Sequence, residues 1–168
     1  MHSFYIEYNN ARIHCLRFGQ GAHLLVALHG FGDRARLFAI LEKALVKRYT
    51  VVAFDLPFHG QTEWPHRTFT KQDTLAIVHK IMEREGKSRL SLMGYSFGAR
   101  LTQAMLPDLL PVLDKLYLLA PDGLQTKGMS TAVRTPVWVR KALFYTLKNP
   151  GWFLSLLNLG RRLRIVPP

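Results

Sequence analysis

Cysteine is almost absent from this 168-residue chain: Cys15 stands alone, so no internal disulfide can form. A lone thiol of this kind reads as a small, half-buried strand residue and leads us to expect a reducing, cytoplasmic setting. No apolar run approaches the ~18 residues needed to cross a bilayer. The stretch from Met1 to Glu7 has no basic region leading into an apolar one, so no secretory leader is read there. Internal repeats and low-complexity tracts are missing as well. Acid is missing from the final stretch, where Lys127, Arg134, Arg140, Lys141, Lys148, Arg161, Arg162 and Arg164 follow Asp122 with no Asp or Glu. Histidine stops earlier still, since His79 is the last of seven.

What is present fits an ordinary globular chain, with 48% hydrophobic and 20% charged residues. The net charge of +12 is concentrated in that acid-free tail. Such a segment can serve anionic lipid, nucleic acid or an acidic partner, or be the basic part of a longer protein whose balancing acids lie elsewhere. The last reading is preferred. Nucleic acid is set aside because no reader motif accompanies the charge, and weak contact with a membrane surface through basic helices stays open.

The runs Phe4–Tyr8 and Arg12–Phe18, joined by Asn9-Asn10, predict a hairpin. Continuous apolar strands follow over 23–28, 49–54, 89–93 and 115–120, as expected where both faces of a sheet are covered. Between them come amphipathic helices. One is capped by Asp33 and carries Leu37, Ile40, Leu41, Ala44 and Leu45; a second starts at Thr70 with Asp73 three residues on and closes at Gly86. A third runs from Ser96 to about Met105 and stops at Pro107. Strands alternating with helices predict an α/β fold, a mostly parallel sheet with helices on both faces. Thr135-Pro136 and Asn149-Pro150 then start two helices with no strand after them. Residues 1–125 are thus expected to form a core of six strands, and 126–168 part of a helical cap.

Three motifs follow strands. Gly94-Tyr95-Ser96-Phe97-Gly98 sits between a strand and a helix. In that setting a serine rides a strained turn, its small neighbours let strand and helix approach, and the helix N-terminus offers partial positive charge. His29-Gly30-Phe31-Gly32-Asp33 and Asp55-Leu56-Pro57-Phe58-His59-Gly60-Gln61-Thr62 follow two earlier strands. All three lie at strand C-terminal ends, where open α/β sheets bind ligands.

Together these motifs resemble the α/β-hydrolase family in order and spacing; the resemblance covers essentially the whole chain and matches the N-terminal portion of that family's fold. The resemblance implies a serine hydrolase, esterase- or lipase-like, acting on a carboxylic ester or related acyl compound. Ser96 would be the nucleophile, with the backbone N–H groups of Phe31 and Phe97 as oxyanion hole and no metal or organic cofactor. Phe58 stands where the family usually has Gly, and Thr62 where it has Ser.

The family's triad histidine, which would follow the nucleophile, is absent here. His29 and His59 lie near the pocket edge in positions the family uses for structure, and His79 falls mid-helix. Asp122 is either the acid after the sixth strand or a turn residue of Pro-Asp-Gly; Asp108 and Asp114 read as solvated. Trp138, Phe144, Tyr145, Trp152 and Phe153 line an apolar pocket or simply pack the cap. The chain alone is expected to be a poor catalyst, a fragment whose sixth strand is an exposed edge prone to aggregation. The alternative is a non-catalytic module of the same fold that binds a ligand or a protein.

Overall fold

The computed structural model describes residues 1–121. The expectations for Asp122, for the two later helices and for the cap lie outside the described residues. Within them, six strands form one sheet: β1 (His2–Tyr8), β2 (Ala11–Phe18), β3 (His23–Leu28), β4 (Tyr49–Phe54), β5 (Leu90–Tyr95) and β6 (Leu113–Leu119), ordered β1-β2-β4-β3-β5-β6. β1 and β2 are the hairpin, closed by Asn9 and Asn10 at φ 47° and 61°. Two successive left-handed residues match the strands' right-handed twist, and asparagine tolerates that conformation well. β2 runs antiparallel to β4, whereas β4, β3, β5 and β6 are mutually parallel.

The apolar strands alternate between two cores. Leu24, Val26, Leu28, Val52 and Phe54 pack with Ile77, Ile81 and Met105 on one face. Leu25, Ala27, Val51 and Ala53 pack with Ala35 and Phe38 on the other. Successive strand side chains point to opposite faces, so covering both faces requires an uninterrupted apolar run. Cys15 belongs to the first core and is fully buried, not half-buried as expected. Desolvation, then the nearby Asp55 charge, pushes its thiol far above the ordinary value, which makes it inert.

The helix expected from Asp33 forms differently. A 3-10 helix spans Ala35–Leu41 and passes into one α-turn, α1 (Glu42–Leu45). Three residues per turn put Ala35 and Phe38 on the buried face and leave Ile40 81% exposed. The Asp33 carboxylate accepts only from the Arg34 N–H (3.0 Å), and the N–H of Ala35 donates instead to Asp55 Oδ1 at 2.6 Å. The cap comes from another strand's end.

The second helix, α2 (Lys71–Arg84), matches its sequence signals. Thr70 and Asp73 form a reciprocal capping box. Gly86, at φ 62°, ends it as the Lys87 N–H bonds Met82 O (2.9 Å) and the Gly86 N–H bonds Glu83 O (3.0 Å). Burial works against the Asp73 carboxylate, but hydrogen bonds from Thr70 and Tyr8 hold its pKa below the ordinary value. In α3 (Phe97–Leu109) Pro107 does not stop the helix, which continues to Leu109. Proline forfeits one hydrogen bond there, while buried Met105 and Leu109 anchor that last turn in the core. No helix among the described residues is long and apolar enough to cross a membrane.

The capping box supports a direct test. Thr70→Ala is expected to lower unfolding free energy by about 1 kcal/mol, read by urea denaturation, and Thr70→Ser to retain most of it.

Candidate active site

Ser96 sits at the apex between β5 and α3 with φ 51° and ψ −115°, a conformation that side chains rarely adopt. Its neighbours explain how the turn survives. A Cβ on Gly94 would lie 2.4 Å from the Ala99 Cα, and one on Gly98 would lie 2.1 Å from the Leu28 carbonyl oxygen. Only glycine lets strand and helix close that tightly. The Ser96 N–H donates to Leu119 O (2.9 Å), tying the turn to β6, while Ala99 and Arg100 N–H groups donate to Ser96 O at 3.0 and 3.2 Å. The amides of Phe97 and Gly98 precede these and have no carbonyl within the helix to bond.

The loop after β3 lies against this turn. A Cβ placed on Gly30 would stand 3.2 Å from the Tyr95 ring and 3.3 Å from Ser96 Cβ. Gly30 to Asp33 form a tight turn, with the Asp33 N–H on Gly30 O (3.3 Å) and Gly32 at φ 75°. A glycine is needed at that third position because a turn of this type demands positive φ. Phe31, between them, turns its side chain outward at 83% exposure. The structure therefore brings the Phe31 loop, Ser96 and Phe97 together at the C-terminal ends of β3 and β5.

The histidines nearest this site serve the framework. His29 is fully buried; the Leu56 N–H donates to its Nε2 (3.0 Å), so Nδ1 carries the proton and donates to Gly30 O (2.7 Å). Both ring nitrogens are thereby committed to bracing two loops. Desolvation is the main cause that lowers the His29 pKa, and the His59 ring adds to it. His59 engages Pro57 O through Nδ1 (2.9 Å) and meets the rings of His29 and Phe31 edge-on. Exposed His79 lies on α2. Asp108 pairs with Lys71 and Asp114 with Arg89, so neither is merely solvated.

Apolar side chains rim the site. Phe31, Phe58, Tyr95 and Leu119 are all exposed, and each stands at or just beyond the C-terminal end of a different parallel strand. Phe97 meets Phe69, which in turn meets Phe58. Phe58 occupies φ 68°, a left-handed position that costs a bulky residue ~1–2 kcal/mol. That strain explains why glycine suits this position. Among the described residues, no three His, Cys, Asp or Glu side chains converge as metal ligands.

Burying His29 as the neutral ring has a pH consequence. Its folded pKa lies below the unfolded value of about 6.5. The unfolded chain therefore takes the proton first as pH falls, and the folded state loses stability until pH reaches the folded pKa. The difference in unfolding free energy between the unaltered chain and His29→Gln is expected to shrink from pH 7.5 to 5, by no more than about 1.4 kcal/mol per pH unit. A constant difference contradicts this assignment.

Known proteins resemble this chain in sequence and fold. The family model for the alpha/beta hydrolase fold matches residues 23–162. A soluble epoxide hydrolase of Corynebacterium sp. strain C12 is 25% identical over 151 residues, 89% of this chain and 52% of that protein. The uncharacterized hydrolase YugF of Bacillus subtilis is 30% identical over 115 residues, 67% of this chain and 42% of that one. Among solved structures, a membrane phospholipase A described as a bacterial virulence factor superposes with a TM-score of 0.66 at 25% identity, covering 74% of this chain and 41% of that chain. This chain thus spans about half, or less, of the length of these relatives. With the family model matched across most of the chain's length, and with the strand order and the sharp strand-to-helix elbow at Gly94–Gly98 in place, the chain belongs to the alpha/beta hydrolase fold family.

Proposed function

We propose that Ser96 is the nucleophile of a serine hydrolase acting on a carboxylic ester or related acyl compound. The observation that carries this reading is the strained Ser96 backbone on a strand-to-helix turn packed against Gly30. In the proposed reaction Ser96 Oγ attacks the carbonyl carbon, and the amides of Phe31 and Phe97 hold the resulting oxyanion. The intermediate collapses to an acyl-serine, which water then hydrolyses.

The identity of the residue at the apex favours acyl chemistry over the epoxide opening named for one relative. A serine that opened an epoxide would become an ether, which water does not cleave, whereas an acyl-serine is an ester and turns over. The exposed aromatic rim supports a substrate with an apolar acyl or aryl portion. No histidine follows Ser96, and both nitrogens of His29 are occupied. The proposal therefore places the general base on a residue outside this sequence, in keeping with the relatives' greater length, and leaves the acid to Asp122 or to a residue that accompanies that base.

A missing base can be replaced by a soluble one. A fluorophosphonate probe reacts when the serine oxygen displaces fluoride and its proton passes to a base. Adduct formation at Ser96, mapped by peptide mass spectrometry, is expected to be slow and to rise about tenfold or more with added imidazole. Ser96→Ala removes that adduct. An unmodified Ser96 at every imidazole concentration favours the non-catalytic binding module instead.

A further inference from the structure

Ser3, His14 and Asp55 form a second serine–histidine–carboxylate line that shares no residue with the elbow. The hairpin register creates it. Tyr5 pairs with His14 and Ser3 with Leu16, so Ser3 and His14 are diagonal neighbours across β1 and β2. They share the sheet face opposite Phe4, Ile6, Ile13 and Cys15, which enter the first core. Ser3 Oγ lies 2.7 Å from His14 Nε2, and His14 Nδ1 lies 2.8 Å from Asp55 Oδ2.

The hydrogen-bond directions follow from the carboxylate. Asp55 accepts from the Ala35 N–H through Oδ1 (2.6 Å) and from the Gln61 N–H through Oδ2 (2.8 Å). As an acceptor it fixes the proton on His14 Nδ1, leaving Nε2 to accept from the Ser3 hydroxyl. This is the relay geometry by which a histidine activates a serine. Asp55 and the His14 side chain are 2% and 8% exposed, whereas Ser3 is open to solvent. These three residues, with Arg34 and Arg36, line a cavity of about 290 Å³. Neither arginine makes an ion pair among the described residues.

We propose that Ser3 is a second nucleophile, activated by His14 and Asp55, in a cavity that takes an ester carrying a carboxylate. Ser3 Oγ bonds to the ester carbonyl carbon while its proton passes to His14 Nε2. The bond from that carbon to the alcohol oxygen breaks, and the departing alcohol takes the proton from His14. Water then attacks the acyl-Ser3 by the same proton route, releasing the acid and restoring the serine. Asp55 orients the ring and offsets its transient charge throughout. Arg34 and Arg36 supply the positive charge that selects the substrate's carboxylate.

The two serines separate in one experiment. In the full chain carrying Ser96→Ala, a fluorophosphonate probe is expected to modify Ser3 without added imidazole, because the base is built in. The adduct should vanish in Ser3→Ala/Ser96→Ala and form at least about tenfold more slowly in His14→Gln/Ser96→Ala, with circular dichroism confirming the fold. Should His14→Gln unfold, substrate choice provides the second readout. After subtraction of each ester's rate without protein, since the succinate carboxylate also attacks its own ester, the Ser96→Ala chain should release nitrophenol faster from 4-nitrophenyl hydrogen succinate than from 4-nitrophenyl butyrate, and Arg34→Gln/Arg36→Gln should erase that preference. An unmodified Ser3 overturns the inference whatever Ser96 does, and equal rates on the two esters overturn the assignment of an anionic substrate. Neither result bears on Ser96, which is read on its own peptide in the unaltered chain.

Discussion

One buried carboxylate holds three segments of this molecule together. Asp55, just beyond the end of β4, accepts from the first amide of the 3-10 helix, from His14 on β2 and from the Gln61 amide in its own loop. Its backbone joins in, with the N–H on His14 O (2.9 Å) and the carbonyl receiving the Thr62 hydroxyl (2.6 Å). A carboxylate this deeply buried would cost several kcal/mol if left unpaired, and these donors offset that cost. The geometry dictates sequence in turn: a Cβ on Gly60 would lie 1.9 Å from Asp55 Oδ2. Because Ala35 follows directly on the Phe31 loop, the same carboxylate anchors that loop from its far end.

Strain near the site is placed where neighbours can hold it. Ser96 and Phe58 both take left-handed backbone conformations at strand C-terminal ends. Ser96 is fixed by its bond to Leu119 O and by two returning amides of α3, and Gly94 and Gly98 remove the side chains that would push the turn open. His29 bridges the loops after β3 and β4 with both nitrogens. With both ring nitrogens held in this bridge, His29 has no lone pair left for general-base work at Ser96, so the proton transfer proposed there falls to another residue.

Features encoded locally were legible in the sequence. The Asn9-Asn10 hairpin, the Thr70 capping box and the Gly94–Gly98 elbow each need only a few consecutive residues, and all three appear where their patterns place them. Features made across the sheet were not. The Asp33 helix start looked sound by spacing, but its buried face follows a three-residue period and its cap is Asp55, twenty residues from Ala35. Pro107 looked like a stop, yet the core contacts of Met105 and Leu109 outweigh one lost hydrogen bond. Ser3 and His14 stand eleven residues apart on neighbouring strands, and no local motif joins them. The signal available was the hairpin register, which sets two polar side chains on the same face.

In the proposed reaction the elbow presents Ser96 beside two backbone amides, those of Phe31 and Phe97, that hold the oxyanion. A crystal structure of the chain with a phosphonyl group on Ser96 tests this placement most directly. The phosphonyl oxygen is expected about 2.7–3.1 Å from both the Phe31 and the Phe97 nitrogens. An oxygen directed to solvent, with those amides bonded elsewhere, would contradict it.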